Sequence, residues 1–453
     1  MPVTDFQMKF DTEYSPRLRE ECVCATHRSG LEIRVISKPT ASCAAVLATR
    51  YGALDECFEW DGRWMTTPRG VAHFLEHQVF SSENGEIDEQ FARLGAEVNA
   101  FTSHDRTAYT LSCTDHICEA LEQLIHMVIH PVFDPASVER ERSIIAEEIR
   151  MNRDNPWERC YANLLGGMYI KHGLRQEICG DEESLAAITP EVLSLCHAAF
   201  YRPSNMVLCV SGPVTAEEVF RVVETAFEGL SDAVSCIPAR RYPKEPPAGG
   251  NRYVTQSMPH IDEKAVFCIG IKGRTLPEDA RSLLKKDLVM TILSDMLFSR
   301  SAPFYNELFE EGLIAPGYSN DTSLGRTWAL YTLTGEADEP DCVFQRFLDY
   351  VEQLRRDGFS DEDFERSRRV LYADFVTGFD SPEDIVQSLV NDALDGVSVF
   401  DFLTVFDEIT MEDVKKEFCE NFCPDAYTLS VIAAGEGMTD TIYNNKEDEY
   451  VCR

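Results

Sequence analysis

The sequence predicts an α+β protein made of two homologous α/β sandwich domains, each an antiparallel-rich sheet packed by helices. Three observations carry that prediction. The chain has 453 residues, more than a single hydrophobic core ordinarily organises. A stretch from Glu228-Gly229-Leu230 to Pro246-Pro247-Ala248-Gly249-Gly250 is rich in Pro and Gly and lacks periodicity, so it reads as a linker. The pattern that precedes this linker then returns after it. Phe133-Asp134-Pro135 through Ile144-Ile145 matches Phe359-Ser360-Asp361 through Val370-Leu371 at an offset of 226 residues. Likewise Ile188-Thr189-Pro190 through Phe200 matches Ile409-Thr410-Met411 through Phe422, and residues 206–210 match 429–433. A repeat of this length is too long for a solenoid and indicates two copies of one domain. The predicted division is a first domain over residues 1–228, a linker over 229–250 and a second domain over 251–453.

The elements of the first copy follow from local pattern. Residues 21–37 read as a hairpin turning at Arg28-Ser29-Gly30, and residues 42–51 as a further strand. Val71, Phe74, Leu75 and Val79 recur at the spacing of one apolar helix face, with no Pro or Gly among them. A second helix closes at Phe91–Leu94 and is broken by Gly95; residues 97–103 and 107–113 then alternate as neighbouring strands. Three helices are expected next: 116–129, stopped by Pro131; 135–152, with Asp134 as N-cap and Pro135 in its first turn; and 190–200. Residues 206–210 form a buried strand that ends at Ser211-Gly212-Pro213.

Composition narrows the function. Hydrophobic content of 44% and charged content of 26% are ordinary for a globular protein, but the formal net charge of −36 is not. Such a balance excludes a nucleic-acid surface, which needs clustered Lys and Arg, and fits an acidic protein kept soluble by charge. Residues 1–20 lack the apolar core of a signal peptide, and no run reaches the ~18–20 apolar residues of a membrane span. Sixteen cysteines are scattered without a Cys-x-x-Cys pair, which suggests reduced thiols in a cytoplasmic protein. Cys22/Cys24 and Cys419/Cys423 have no His partner nearby and read as packing. No Gly-rich phosphate loop is present.

The chemistry concentrates in His73-Phe74-Leu75-Glu76-His77. On a helix His73 and His77 are i and i+4, so both imidazoles leave one side one turn apart and can share a Zn²⁺ at about 2.0–2.1 Å. Glu76 falls within reach of a water on that ion, the place of a general base in the inverted zinc-protease helix. A third ligand is sought on the helix over 135–152. There Glu141 and Glu148 are two full turns apart and share a face, while Ile144, Ile145 and Ile149 mark the side turned to the core. Glu148, at the edge of that stripe, is the carboxylate expected to turn towards the metal. Glu139 and Glu147 read as a solvated face with Arg140 and Arg142. Two imidazoles, one carboxylate and an open fourth position make a catalytic site of one Zn²⁺ per chain. His126 and His130 are also i and i+4, but no carboxylate lies between them, and a helix-end role is favoured. In the second copy Thr291, Ser294 and Asp295 stand at the positions of His73, Glu76 and His77, so only the first copy has the site.

These residues resemble the insulinase/pitrilysin metallopeptidase family. The likeness rests on Gly70 to His77, on Gly95-Ala96-Glu97-Val98-Asn99-Ala100-Phe101-Thr102-Ser103, on Glu141 to Ile149 and on Tyr201 to Met206. It looks closest to short bacterial members, including a type associated with aminopentanol modification of elongation factor P. The resemblance implies His73, His77 and Glu148 as zinc ligands, Glu76 as catalytic base and Glu141 as an acid orienting the site. It also implies two halves enclosing a chamber. Asn99, Ala100, Phe101 and Thr102 would bind an extended peptide substrate as an added strand. Family members with a complete site carry, in the second half, an Arg seven residues before a Tyr. Here Phe309 stands where that Arg is expected and no Tyr follows at the proper distance. The expectation is therefore a zinc peptidase subunit whose paralogous partner supplies the Arg and Tyr. The alternative is a non-hydrolytic peptide-binding or scaffold subunit of a heterodimer.

Overall fold

Alternating and fully apolar runs fold into two large sheets that share a five-strand order, along with a separate two-stranded sheet. The computed structural model of the protein describes residues 10–81, 87–228, 237–259, 261, 264–435 and 442–444. The first half contributes strands β1 (Asp11–Ser15), β2 (Glu20–Thr26), β3 (Glu32–Ser37), β4 (Cys43–Thr49), β5 (Cys57–Trp60) and β6 (Arg63–Thr66). Helices α1 (Val71–Val79) and α2 (Ile87–Arg93) lead to β7 (Ala96–Thr102) and β8 (Thr107–Cys113). Then come α3 (Ile117–Ile129), α4 (Pro135–Asp154), α5 (Pro156–Met168), α6 (Glu182–Ala186), α7 (Pro190–Phe200), β9 (Met206–Gly212) and α8 (Ala216–Ala226). The second half begins with β10 (Tyr253–Met258), β11 (Ala265–Lys272), α9 (Ala280–Phe298), α10 (Pro303–Glu310), β12 (Ser319–Leu324) and β13 (Ala329–Ala337). It continues with α11 (Pro340–Asp357), α12 (Asp361–Thr377), α13 (Pro382–Asp395), α14 (Asp401–Asp407), α15 (Met411–Asn421), β14 (Tyr427–Ala434) and β15 (Ile442–Asn444).

The repeat is visible in strand order. Taken from the outer strand, β7-β8-β4-β9-β3 in one sheet corresponds to β12-β13-β11-β14-β10 in the other; the next strand differs, since β2 precedes β3 in the chain whereas β15 follows β14. Both sheets are antiparallel except at one equivalent place, where β3 runs parallel to β9 and β10 runs parallel to β14. β1 extends the first sheet beyond β2.

The compact units are discontinuous where the sequence repeat is linear. One comprises Met1–Ile149, Ile178–Tyr242 and Phe375–Asp401; the other comprises Arg150–Glu177, Pro243–Asp374 and Phe402–Arg453. In the first unit, Ile385, Val386, Leu389 and Val390 of α13 bury against Ala44 and Val46 of β4 and Val207 and Cys209 of β9. In the second, α5 covers β11 and β14, with the Cys160 thiol 3.4 Å from the Ser430 carbonyl. Gly270 on β11 makes room for it: a Cβ there would lie 2.3 Å from Met168 and 3.0 Å from Leu164. Each unit thus takes one covering helix from the other half of the sequence. Apolar spacing announces a helix but not the sheet it will cover.

The Pro/Gly-rich stretch from 237 onward is held by specific contacts. Residues 239–241 bond to β5, with Glu59 N–H to the Ala239 carbonyl (2.8 Å) and Arg241 N–H to that of Cys57 (2.9 Å). Arg240 pairs with the buried Asp55 at 3.0 Å. In the second unit Glu245 accepts the N–H groups of Ile170, Lys171 and His172 at 2.7–2.8 Å and the Lys272 ammonium at 2.6 Å. The Lys272 side chain is only 2% exposed. Removing one partner of such a pair strands a buried charge, so Glu245→Ala is expected to cost about 3–5 kcal/mol. The urea midpoint reads this; a variant as stable as the parent would show that the clamp contributes nothing.

Candidate metal centre

The centre is assembled where α1 meets α4. α1 starts at Gly70, whose φ of +82° lies in the left-handed region, and a Cβ there would stand 2.5 Å from the Cys179 carbonyl oxygen. Only glycine meets both conditions without strain. Gly70→Ala is expected to destabilise the fold by about 1–3 kcal/mol and to weaken zinc retention by tilting the helix. Chelator competition on the folded variant tests this, and unchanged zinc affinity would contradict it.

One face of α1 is anchored in the core by Val71, Phe74, Leu75 and Val79. Gln78, also buried, donates to the Val132 carbonyl (2.9 Å) and the Ser137 hydroxyl (2.7 Å), tying α1 to the start of α4. α4 is capped by Asp134, which accepts from the N–H groups of Ala136 and Ser137. Ile145 and Ile149 sink into the core, and Arg142 binds the carbonyls of Leu185 and Ile188. Two helices fixed in this way leave His73 and His77 facing Glu141 and Glu148.

Donor atoms converge there. His73 Nε2 lies 3.4 Å from one oxygen of Glu148, and His77 Nε2 lies 3.4 Å from the other. The His73, His77 and Glu148 ligand atoms lie within 4.8 Å of one another, the one such group among the described residues. At 3.4 Å these contacts are longer than strong charge-assisted hydrogen bonds, and they leave the three side chains close enough to share one cation. His77 Nδ1 faces Glu141 at 3.5 Å, and Ser81 donates to the other oxygen of that carboxylate at 3.2 Å. His73 Nδ1 is buried with no hydrogen-bond partner. Burial opposes protonation of His77, but Glu141, Glu148 and Glu76 outweigh it and push the imidazole up to about 9. Hydrogen bonds from His73 and His77 hold Glu148 well below the usual carboxylate range. A cation at this place would take over the stabilising part of that shared proton and release it.

Glu76 sits on the same helix, and its carboxylate accepts the Thr102 hydroxyl at 2.6 Å. β7 is the outermost strand of its sheet, bonded to β8 on one side. Glu97, Asn99 and Phe101 are exposed on it, alternating with half-buried Val98, Ala100 and Thr102. Asn99 Oδ1 accepts the Ala100 N–H at 2.8 Å. Of the four residues expected along this strand, Thr102 alone is engaged with the centre through its side chain. Glu139 pairs with Arg142 and is exposed, as is Glu147. His126 on α3 and His130 at its C-terminal cap are exposed in a cleft of about 680 Å³, and they belong to no three-ligand group among the described residues.

The degenerate copy keeps the plan and loses the chemistry. In the second unit Ser367, at the position of Glu141, donates to Asp295, at that of His77, at 2.5 Å. Ser294, in place of Glu76, accepts from Asn320 on β12 at 3.0 Å. Phe309 is 44% exposed on α10 and stacks on Tyr305 at 5.5 Å, an apolar surface where the resemblance implied a guanidinium. Gln78, Ser81 and the hydroxyl of Thr102 escaped the sequence reading, because residues of these types carry no spacing rule of their own.

Known proteins resemble this chain in sequence and in fold. Residues 62–182 match the family described as "Insulinase (Peptidase family M16)", and residues 187–371 match "Peptidase M16 inactive domain". A Bacillus subtilis protein named uncharacterized zinc protease YmfH is 32% identical over 414 residues, 88% of this chain and 94% of that one. A crystal structure of an M16-like peptidase from Alicyclobacillus acidocaldarius superposes with a TM-score of 0.85 at 32% identity, covering 95% of this chain and 99% of the other. A Helicobacter pylori protease shares the fold at a TM-score of 0.79 and 19% identity, over 94% of this chain and 99% of its own.

Proposed function

Because the chain belongs to the insulinase family of zinc proteases, we propose that it is a zinc-dependent peptidase subunit that hydrolyses extended peptides. The observation that carries the reading is the convergence of two Nε2 atoms and one carboxylate, with Glu76 on the same helix as the histidines and no fourth ligand in the group among the described residues. His73, His77 and Glu148 hold one Zn²⁺. When bound, zinc lowers the pKa of a water towards about 7 and polarises the scissile carbonyl. Glu76 accepts the proton of the attacking water and returns it to the leaving amine. Glu141 fixes the His77 ring through Nδ1. Asn99, Ala100, Phe101 and Thr102 offer the outer edge of β7 to the substrate main chain, so recognition is by extended shape more than by sequence. The free thiols among the described cysteines fit a cytoplasmic setting, and no helix there is long and apolar enough to cross a membrane.

The missing Arg and Tyr favour a paralogous partner of the same family that contributes both. A donor to the developing oxyanion is worth about 2.7–4 kcal/mol, or 10²–10³ in rate, so this chain by itself is a slow peptidase. Phe309 also supports a second reading, a non-hydrolytic peptide-binding subunit. The test is a peptidase assay on mixed peptides, with zinc measured alongside. It is run with and without a paralogue that lacks His-x-x-Glu-His but retains the Arg and Tyr. Chelator-sensitive cleavage that rises with the paralogue supports the peptidase. Zinc-loaded protein that binds peptides yet cleaves none in either state supports the second reading.

A further inference from the structure

We infer that Thr102 is a positioning residue for Glu76, holding the carboxylate as a hydrogen-bond acceptor through its hydroxyl; the inference rests on the peptidase reading above. Each hydroxyl on this strand pair has one hydrogen to give. Thr107, opposite Thr102 in the register of β7 and β8, spends its hydrogen on the Tyr51 carbonyl at 2.9 Å. Thr102 lies 3.5 Å from Thr107 and 2.6 Å from Glu76. The direction is therefore set: Thr107 cannot donate to Thr102 as well, and Thr102 points its hydrogen at Glu76. An O–H···O contact this short fixes where the Glu76 carboxylate lies and which way it faces.

The molecule contains its own comparison. β7 and β8 are joined by a four-residue turn closed by Ser103 N–H to the Arg106 carbonyl at 2.8 Å. β12 and β13 are joined by a turn of the same length, closed by Gly325 N–H to the Trp328 carbonyl at 2.9 Å. The residue pair that flanks the turn is Thr102 and Thr107 in the first copy, and Leu324 and Ala329 in the second. The hairpin survives without either hydroxyl, so its fold does not require them. Both hydroxyls are present where the helix carries Glu76 and both are gone where it carries Ser294. A threonine kept for packing would have no reason to disappear together with the acid.

The test compares Thr102→Val, which keeps the shape and removes the hydroxyl, with Thr102→Ser, which keeps the hydroxyl, in the full chain together with its paralogue. Thr102→Val is expected to lower kcat by ~10–10²-fold with KM and zinc content unchanged, and Thr102→Ser to recover most of the loss. A crystal structure of Thr102→Val is expected to show the Glu76 carboxylate turned away from its parental position. Equal kcat in Thr102→Val and parent, or a serine variant as slow as the valine one, would overturn the assignment. So would a Glu76 carboxylate that stays in place in the valine variant. If the parent cleaves no peptide, the peptidase reading fails, and the position of Glu76 in the valine variant still decides whether Thr102 holds it.

Discussion

Glu76→Gln is expected to retain one zinc per chain and to lose peptidase activity by ~10²–10⁴-fold, the usual contribution of a positioned general base. Glu76 is one residue from His77, yet it lies outside the cluster of converging ligand atoms, held instead by Thr102. Its replacement by an isosteric amide leaves the donors of His73, His77 and Glu148 intact. An amide also accepts a hydrogen bond through its oxygen, so the local packing is preserved while the basic site is lost. Parental kcat in this variant would remove Glu76 from the chemistry. Loss of zinc together with activity would move it into the metal's coordination.

Glu148→Gln is expected to have the opposite signature, losing zinc first and activity as a consequence. The carboxylate faces both imidazoles, one oxygen to each at 3.4 Å. Without its charge two neutral imidazoles remain, which bind a dication far more weakly than a set completed by an anion. Glu141→Gln provides the graded comparison. Glu141 faces His77 through that ring's far nitrogen and accepts from Ser81, so its loss is expected to weaken zinc by the ~10–100-fold typical of an outer hydrogen-bond partner. The order Glu148, then Glu141, then Glu76 in effect on zinc affinity, measured by competition with a chelator, separates the three acids. An inverted order for Glu141 and Glu148 would exchange their roles.

Much of this centre was legible before any coordinates. The two histidines are fixed by the arithmetic of a helix: i and i+4 project together whatever surrounds them. The carboxylates of Glu141 and Glu148 could be put on one face of their helix for the same reason. Of the stripe Ile144, Ile145 and Ile149 expected to face the core, Ile145 and Ile149 do so, but Ile144 is 53% exposed. Neighbours about 100° apart cannot both point inward on a helix with a narrow buried face. The repeat announced two copies of one α/β domain, but the strand order within each sheet came only with the structure. What stayed hidden depends on contacts between residues remote in sequence. The placing of α5 and α13 on sheets from the other half of the sequence is such a case, because an amphipathic helix declares that it will be covered and not by what. Gln78 is another: its amide reaches Val132 and Ser137, a partnership no local pattern announces. The division of labour along β7 is a third. Sequence likeness grouped Asn99, Ala100, Phe101 and Thr102 as one peptide-binding edge, whereas the pleat sends the Thr102 side chain to Glu76 and leaves Asn99 and Phe101 exposed.

The most direct measurement is the location of zinc by anomalous diffraction at its absorption edge, on crystals of the zinc-loaded protein. One peak is expected per chain, about 2.0–2.2 Å from His73 Nε2, His77 Nε2 and a Glu148 oxygen, with solvent completing the coordination. A peak bound elsewhere, or one closed by a fourth side chain, would contradict the account.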